Sequence, residues 1–212
     1  AQNVAEEAVS RALQIDGELA EAHAAQGLLQ YNRYKTQRTG NANQLAAAAY
    51  ERAIALNPNL ANAYVWYATL REAEGDIEGA IDLLTTAMEI DPLGRIPYIN
   101  LPNFYAMLGK NDKAVELLLK STAIFPDWPS PYESMAEQLM GLGRLDEALA
   151  WKMRRYELDP ENTVVACQVA GLLDALGFRE EARLWSAKSN EGRFYYCFSE
   201  HYFECSASRE AY

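Results

Sequence analysis

The stretch "AEGDIEGA", residues 73–80, lies between two apolar, helix-like phrases and sets a glycine five residues before an alanine. The same skeleton returns as "LGKNDKA" at 108–114, "LGRLDEA" at 142–148 and "LGFREEA" at 176–182. Its glycines are Gly75, Gly109, Gly143 and Gly177, and its alanines are Ala80, Ala114, Ala148 and Ala182; neighbours in either series differ by 34. Prolines keep the same step, at Pro58, Pro92, Pro126 and Pro160, and each closes a phrase such as "TAMEIDP". Proline lacks the N–H that would continue a helix and pushes its predecessor toward extended backbone. Markers held in phase along the chain define a repeating unit.

Inside a unit the apolar spacing is helical. Ile77, Ala80, Ile81, Leu84, Ala87, Met88 and Ile90 follow the i, i+3, i+4, i+7 pattern, and Leu60, Ala63, Tyr64, Tyr67, Ala68 and Leu70 make a second stripe. Gly75 separates them and permits a left-handed residue where the first helix ends. Asp76 suits the cap of the second. The unit is a helix, a tight turn, a second helix and a proline turn, with no strand signal. A single unit buries a handful of large side chains, each worth about 1.5–3 kcal/mol. Ordering its backbone costs about 1–2 kcal/mol per residue. Such a unit needs neighbours.

These residues resemble the tetratricopeptide repeat, a helix pair of the same 34-residue period. The family's small residues match Ala68 and Ala136, then Ala80, Ala114 and Ala148, then Ala87 and Ser121; its aromatic position matches Tyr64, Tyr98 and Tyr132. The resemblance implies an all-α fold, a tetratricopeptide-repeat solenoid of antiparallel helix pairs in a right-handed superhelix. It covers residues 1–192, as a partial first unit and about five further units. "AEEAVSRALQID", residues 5–16, reads as a second helix without its partner: either upstream sequence was removed or the array starts on an isolated helix.

Three places depart from the pattern. Gly17 stands where Pro58 stands a unit later, and 58 minus 17 is 41, so seven extra residues fall near 31–44. Either both helices run on by a turn or the linker loops out; Arg33, Lys35 and Arg38 would then form a basic contact patch or a harmless solvent tip. Pro102 replaces the small residue of Ala68 and Ala136, which predicts a kink or a late-starting helix capped by Asn100. Arg155 replaces the small residue at Ala87 and Ser121, which predicts local repacking between its helices. Residues 193–212, with Phe194, Phe198 and Tyr202 at helical spacing, read as a capping helix or an association helix.

Composition narrows the function. With 19 basic and 30 acidic residues the net charge is -11, a surface that repels nucleic-acid backbones. No apolar run approaches the roughly 20 residues that cross a bilayer. Three cysteines, Cys167, Cys197 and Cys205, are an odd count that argues against a disulfide framework and for a reducing compartment. The expectation is a soluble, cytoplasmic chain, with the periplasm as the alternative. Cys197, His201 and Cys205 are donors that suit zinc, but on a helix the outer two lie ~12 Å apart, too far to share one ion. His23 falls on the aromatic position and reads as a packing residue. Phosphate loops, nucleophile elbows and HExxH patterns are missing, so no enzyme, no cofactor and no metal are expected.

What the resemblance adds is a groove lined by the first helix of each unit. Carried over position by position, it is lined by Asn62, Trp66 and Thr69, then Asn100, Asn103 and Met107, then Glu133 and Glu137. No lysine or arginine occupies these positions, which rejects the acidic tails that some family members clamp. The implied ligand is a peptide or helix of a protein partner, neutral to basic and partly apolar. Trp66 would anchor it, Asn100 and Asn103 would pair with its backbone, and Glu133 and Glu137 would meet its Lys or Arg. The alternative is a structural or oligomerisation module of a larger multidomain bacterial protein, a homodimer through residues 193–212.

Overall fold

The computed structural model describes residues 2–37 and 40–188. Among them are eleven helices and no strand: α1 (Gln2–Ile15), α2 (Ala20–Gln37), α3 (Ala42–Leu56), α4 (Ala61–Glu74), α5 (Ile77–Ile90), α6 (Arg95–Met107), α7 (Asn111–Ile124), α8 (Pro129–Gly141), α9 (Leu145–Glu157), α10 (Thr163–Ala175) and α11 (Arg179–Lys188). The chain divides into two compact units between Leu108 and Gly109. In the first, α2 pairs with α3 and α4 with α5, α1 leans on α2, and α6 packs on α5. In the second, α8 pairs with α9 and α10 with α11, and α7 packs on α8. The sequence period reads as one array, yet the helices of its third repeat, α6 and α7, belong to different units.

The turn of "AEGDIEGA" has the expected chemistry. Gly75 takes φ 85°, and the Asp76 N–H reaches back to the Arg71 carbonyl at 2.9 Å. A side chain at such a φ would strain the turn. The Asp76 carboxylate accepts from the Gly79 N–H at 2.9 Å, capping α5.

The 34-residue phase is a burial phase. Ala46, Ala80, Ala114, Ala148 and Ala182 are all fully buried. A methyl there lets the paired helix axes close, and the large residue a turn later fills the groove beside it. That residue is Tyr50, Leu84, Leu118 and Lys152 in succession, all fully buried.

A second device repeats in step. The hydroxyls of Tyr64, Tyr98 and Tyr132 donate to the carbonyls of Pro58, Pro92 and Pro126 at 3.1, 3.0 and 2.9 Å. Each tyrosine ties its helix start to the proline turn six residues back. His23 does the same without a hydroxyl, its Nε2 lying 3.0 Å from the Gly17 carbonyl. A carbonyl only accepts, so the imidazole carries its hydrogen on Nε2. The position holds Ala166 in the last unit.

The departures resolve individually. The surplus lengthens α2 to 18 residues against 14 in α4, a further turn of helix. Of its basic residues, Arg33 pairs with Glu6 at 2.9 Å, and Lys35 lies 5.5 Å from the Tyr31 ring centre. Arg38 lies outside the described residues. The late-starting helix is wrong. α6 runs unbroken through Pro102 from its Gly94 cap, and Asn100 stands mid-helix rather than at a terminus. Pro102 is buried, filling the place of Ala68 and Ala136; having no N–H, it donates no bond to the turn before it. Cys167, half-buried on α10, is disulfide-bonded, so the odd cysteine count does not exclude a bridge. The aromatic segment 193–212, its association role and its Cys197, His201 and Cys205 lie outside the described residues.

Tyr31, Tyr50 and Tyr67 stack through the first unit, with the Tyr50 and Tyr67 ring centres 5.7 Å apart. Gly27 on α2 gives the Tyr50 ring its room: a Cβ built there would sit 2.5 Å from a ring carbon. Gly27→Ala should therefore destabilise the first unit by about 1–3 kcal/mol, the usual cost of overpacking, read as a lower thermal midpoint by circular dichroism. The Tyr67 hydroxyl donates to Glu51 at 2.8 Å and accepts from Arg71 at 2.7 Å. Burial first, and the bond to Glu51 second, push its pKa up from 10.0 to about 12. An unfolded tyrosine ionises near pH 10, so between these values the unfolded chain has lost a proton that the folded chain keeps. Stability should be intact below about pH 10 and fall as pH rises toward 12, with Tyr67→Phe flattening the fall in denaturant melts.

Candidate functional site

The predicted groove residues fall on α4, α6 and α8. On α4, Asn62 is exposed, and the Thr69 hydroxyl is spent inside the helix, donating to the Val65 carbonyl at 3.0 Å. Trp66 is half-buried. Its indole packs on Ala24, Ala53 and Ala63 and on the tyrosine cluster, so it is a wall of the core as well as a surface.

α6 offers the clearest face. Ile96, Asn100, Asn103 and Met107 sit at i, i+4, i+7 and i+11, one side of the helix. Ile96 is 48% exposed and Met107 66%, with Asn103 exposed and Asn100 half-buried between them. Two amides are thus flanked by two apolar side chains on solvent.

In the second unit, Glu133 and Glu137 lie one turn apart on α8, Glu137 exposed and Glu133 half-buried. Glu133 does not wait for a partner's cation. Lys152, on α9, reaches it from the core: only 1% exposed, it forms an ion pair with the Glu133 carboxylate and donates to Gln168 Oε1 of α10 at 3.1 Å. Its methylene stem takes the place that Leu84 and Leu118 fill in other units, and its ammonium bridges α8 and α10. The expectation that Glu133 recruits a Lys or Arg is therefore corrected: its charge is already matched. Sequence reasoning missed Lys152, although the signal was present, a lysine in phase with Tyr50, Leu84 and Leu118. Three residues on, Arg155 is half-buried in place of Ala87 and Ser121, its Nη1 buried without a hydrogen-bond partner.

A surface pocket of about 540 Å³ lies elsewhere on the second unit, between α7, α8 and α9, lined by Thr122, Ala123, Tyr132, Ala150, Trp151 and Arg154. Among the described residues, no three His, Cys, Asp or Glu side chains converge on a metal-sized point, and no helix is long and apolar enough to cross a membrane.

Residues 49–82 match the family model of the tetratricopeptide repeat. Among solved structures, pilF of Pseudomonas aeruginosa is similar at 22% identity, over 98% of this chain and 90% of that one, with a TM-score of 0.72. YrrB, described as a tetratricopeptide-repeat protein with an unusual peptide-binding site, is similar at 18% identity over 95% and 98%, with a TM-score of 0.63. MamA is similar at 18% identity over 84% and 93%, with a TM-score of 0.65. At these identities the likeness is one of fold. A comparison with curated protein sequences finds no match.

Breaking a buried ion pair from one side costs about 3–5 kcal/mol when the remaining charge is sealed. The Glu133 side chain is 28% exposed and can hydrate, but truncation also empties the core place of the stem, so Lys152→Ala should cost about 3–5 kcal/mol. Lys152→Leu combined with Glu133→Gln restores the core residue of the other units and should return close to wild-type stability. Urea melts of both variants measure this; a double variant no better than the single would contradict it.

Proposed function

We infer that this chain, a tetratricopeptide-repeat protein by the fold of its helix pairs and by the repeat matched at 49–82, works as a non-catalytic protein-interaction scaffold. It holds a peptide segment on the exposed face of its first helices. The observation that carries this reading is the α6 stripe of Ile96, Asn100, Asn103 and Met107. An amide both donates and accepts, so Asn100 and Asn103 can meet the N–H and C=O of an extended backbone. The apolar side chains at either end then remove a partner's apolar side chains from water. An excess of 11 negative charges favours a neutral to basic partner over an acidic one or a nucleic acid. Asn62 and Trp66 would extend the face along α4. The YrrB description names a peptide-binding site on a chain of this fold, which supports the reading by analogy.

The structure changes which variant tests it. Trp66→Ala would open a hole beside Ala24, Ala53 and Ala63, so lost binding would be confounded with lost packing. Asn103→Ala with Met107→Ala removes exposed groups only. Against a peptide selected from a displayed random library, that double variant should bind at least about tenfold more weakly, the weight of about 1.4 kcal/mol, at unchanged thermal midpoint. Equal affinity by calorimetry would remove α6 from the site.

A further inference from the structure

We propose that Lys152 builds a neutral donor–acceptor pair on the surface of the second unit, and that this pair recognises the backbone N–H and C=O of one residue in an extended peptide. The proposal rests on the peptide-scaffold reading and deepens it.

The argument starts from what an ammonium can do. It only donates, so the oxygen of the Gln168 side-chain amide must face Lys152, as it does at 3.1 Å. The amide orientation is thereby set: Gln168 is an exposed residue whose NH₂ group is left to point away from the ammonium. Glu133 spends Oε1 on the same ammonium and keeps Oε2 as an acceptor. A single buried cation therefore fixes a donor from α10 and an acceptor from α8 beside one another. One residue of an extended peptide presents the complementary pair on one side, its C=O for the Gln168 NH₂ and its N–H for Glu133 Oε2.

Charge selects the occupant. Glu133 and Lys152 sum to zero, so a partner's Lys or Arg gains little at Glu133, and a partner's carboxylate meets an ammonium that is 1% exposed and already bonded. A neutral segment loses nothing at either group. Without Lys152 the logic inverts, because Glu133 becomes an unmatched anion and Gln168 is free to turn over. Lys152 is a positioning residue here: it touches the peptide only through Glu133 and Gln168.

The probe is a phage-displayed library of random heptapeptides, panned against the full chain and against its Lys152→Met form, which keeps the stem volume. The wild type should enrich peptides poor in Asp and Glu, with Lys and Arg near their frequency in the unselected library. Lys152→Met should enrich Lys and Arg severalfold over the wild-type pool, a change that mere loosening of the core would not produce. Gln168→Leu, at an exposed position, serves where Lys152→Met does not fold, and should weaken a wild-type-selected peptide about tenfold. Pools of the same charge composition from both proteins, or an unaffected Gln168→Leu, would overturn the proposal while leaving the scaffold reading intact. A library yielding no binder to the wild type would take down both.

Discussion

Close approach of paired helices is the constraint on which everything else rests. Ala46, Ala80, Ala114, Ala148 and Ala182 are buried one unit apart because two axes cross there, and no larger side chain fits between them. Once that crossing is fixed, the place a turn later faces a cavity of defined size, filled by Tyr50, Leu84, Leu118 or Lys152. The proline turn then returns the chain for the next unit, and the tyrosine hydroxyls, or His23 in their stead, tie that turn down. Each device is local, yet none is stable alone, because a single helix pair buries too little to offset the ordering of its backbone.

The same framework explains how an ordinary core position comes to hold a charge. At the site of Leu84 and Leu118, a lysine keeps the apolar stem and adds a charge that cannot stay unpaired inside. The charge is met by Glu133 and Gln168, one helix to either side, and so a core substitution reaches the surface. Arg155, in the next core position of the same helix, has no such resolution at its buried Nη1. α9 thus places two charged side chains, Lys152 and Arg155, at positions that are apolar or small in the other units.

Much of the fold was legible in residue spacing. Gly75 and Asp76 were readable as turn and cap because backbone conformation and capping depend on a few adjacent residues. The alanine and proline phases were readable because each unit repeats the same packing problem. The reading failed where two local rules competed. Pro102 argued for a helix boundary, but burial in the place of Ala68 and Ala136 held α6 together through it. The site was legible only as positions. Asn103 and Met107 face solvent as that pattern requires, whereas Trp66 turned out to be shared with the core and Glu133 to be already paired.

By itself the sequence determined the period, the helix pairs and the helix faces, because these follow from spacing along one chain. Only the tertiary structure decided which polar groups are already satisfied. Lys152 is 19 residues from Glu133 and 16 from Gln168, and nothing in either spacing announces a bond. Pairing of charges depends on distance through space and on exclusion of water, and both arise only when three helices meet.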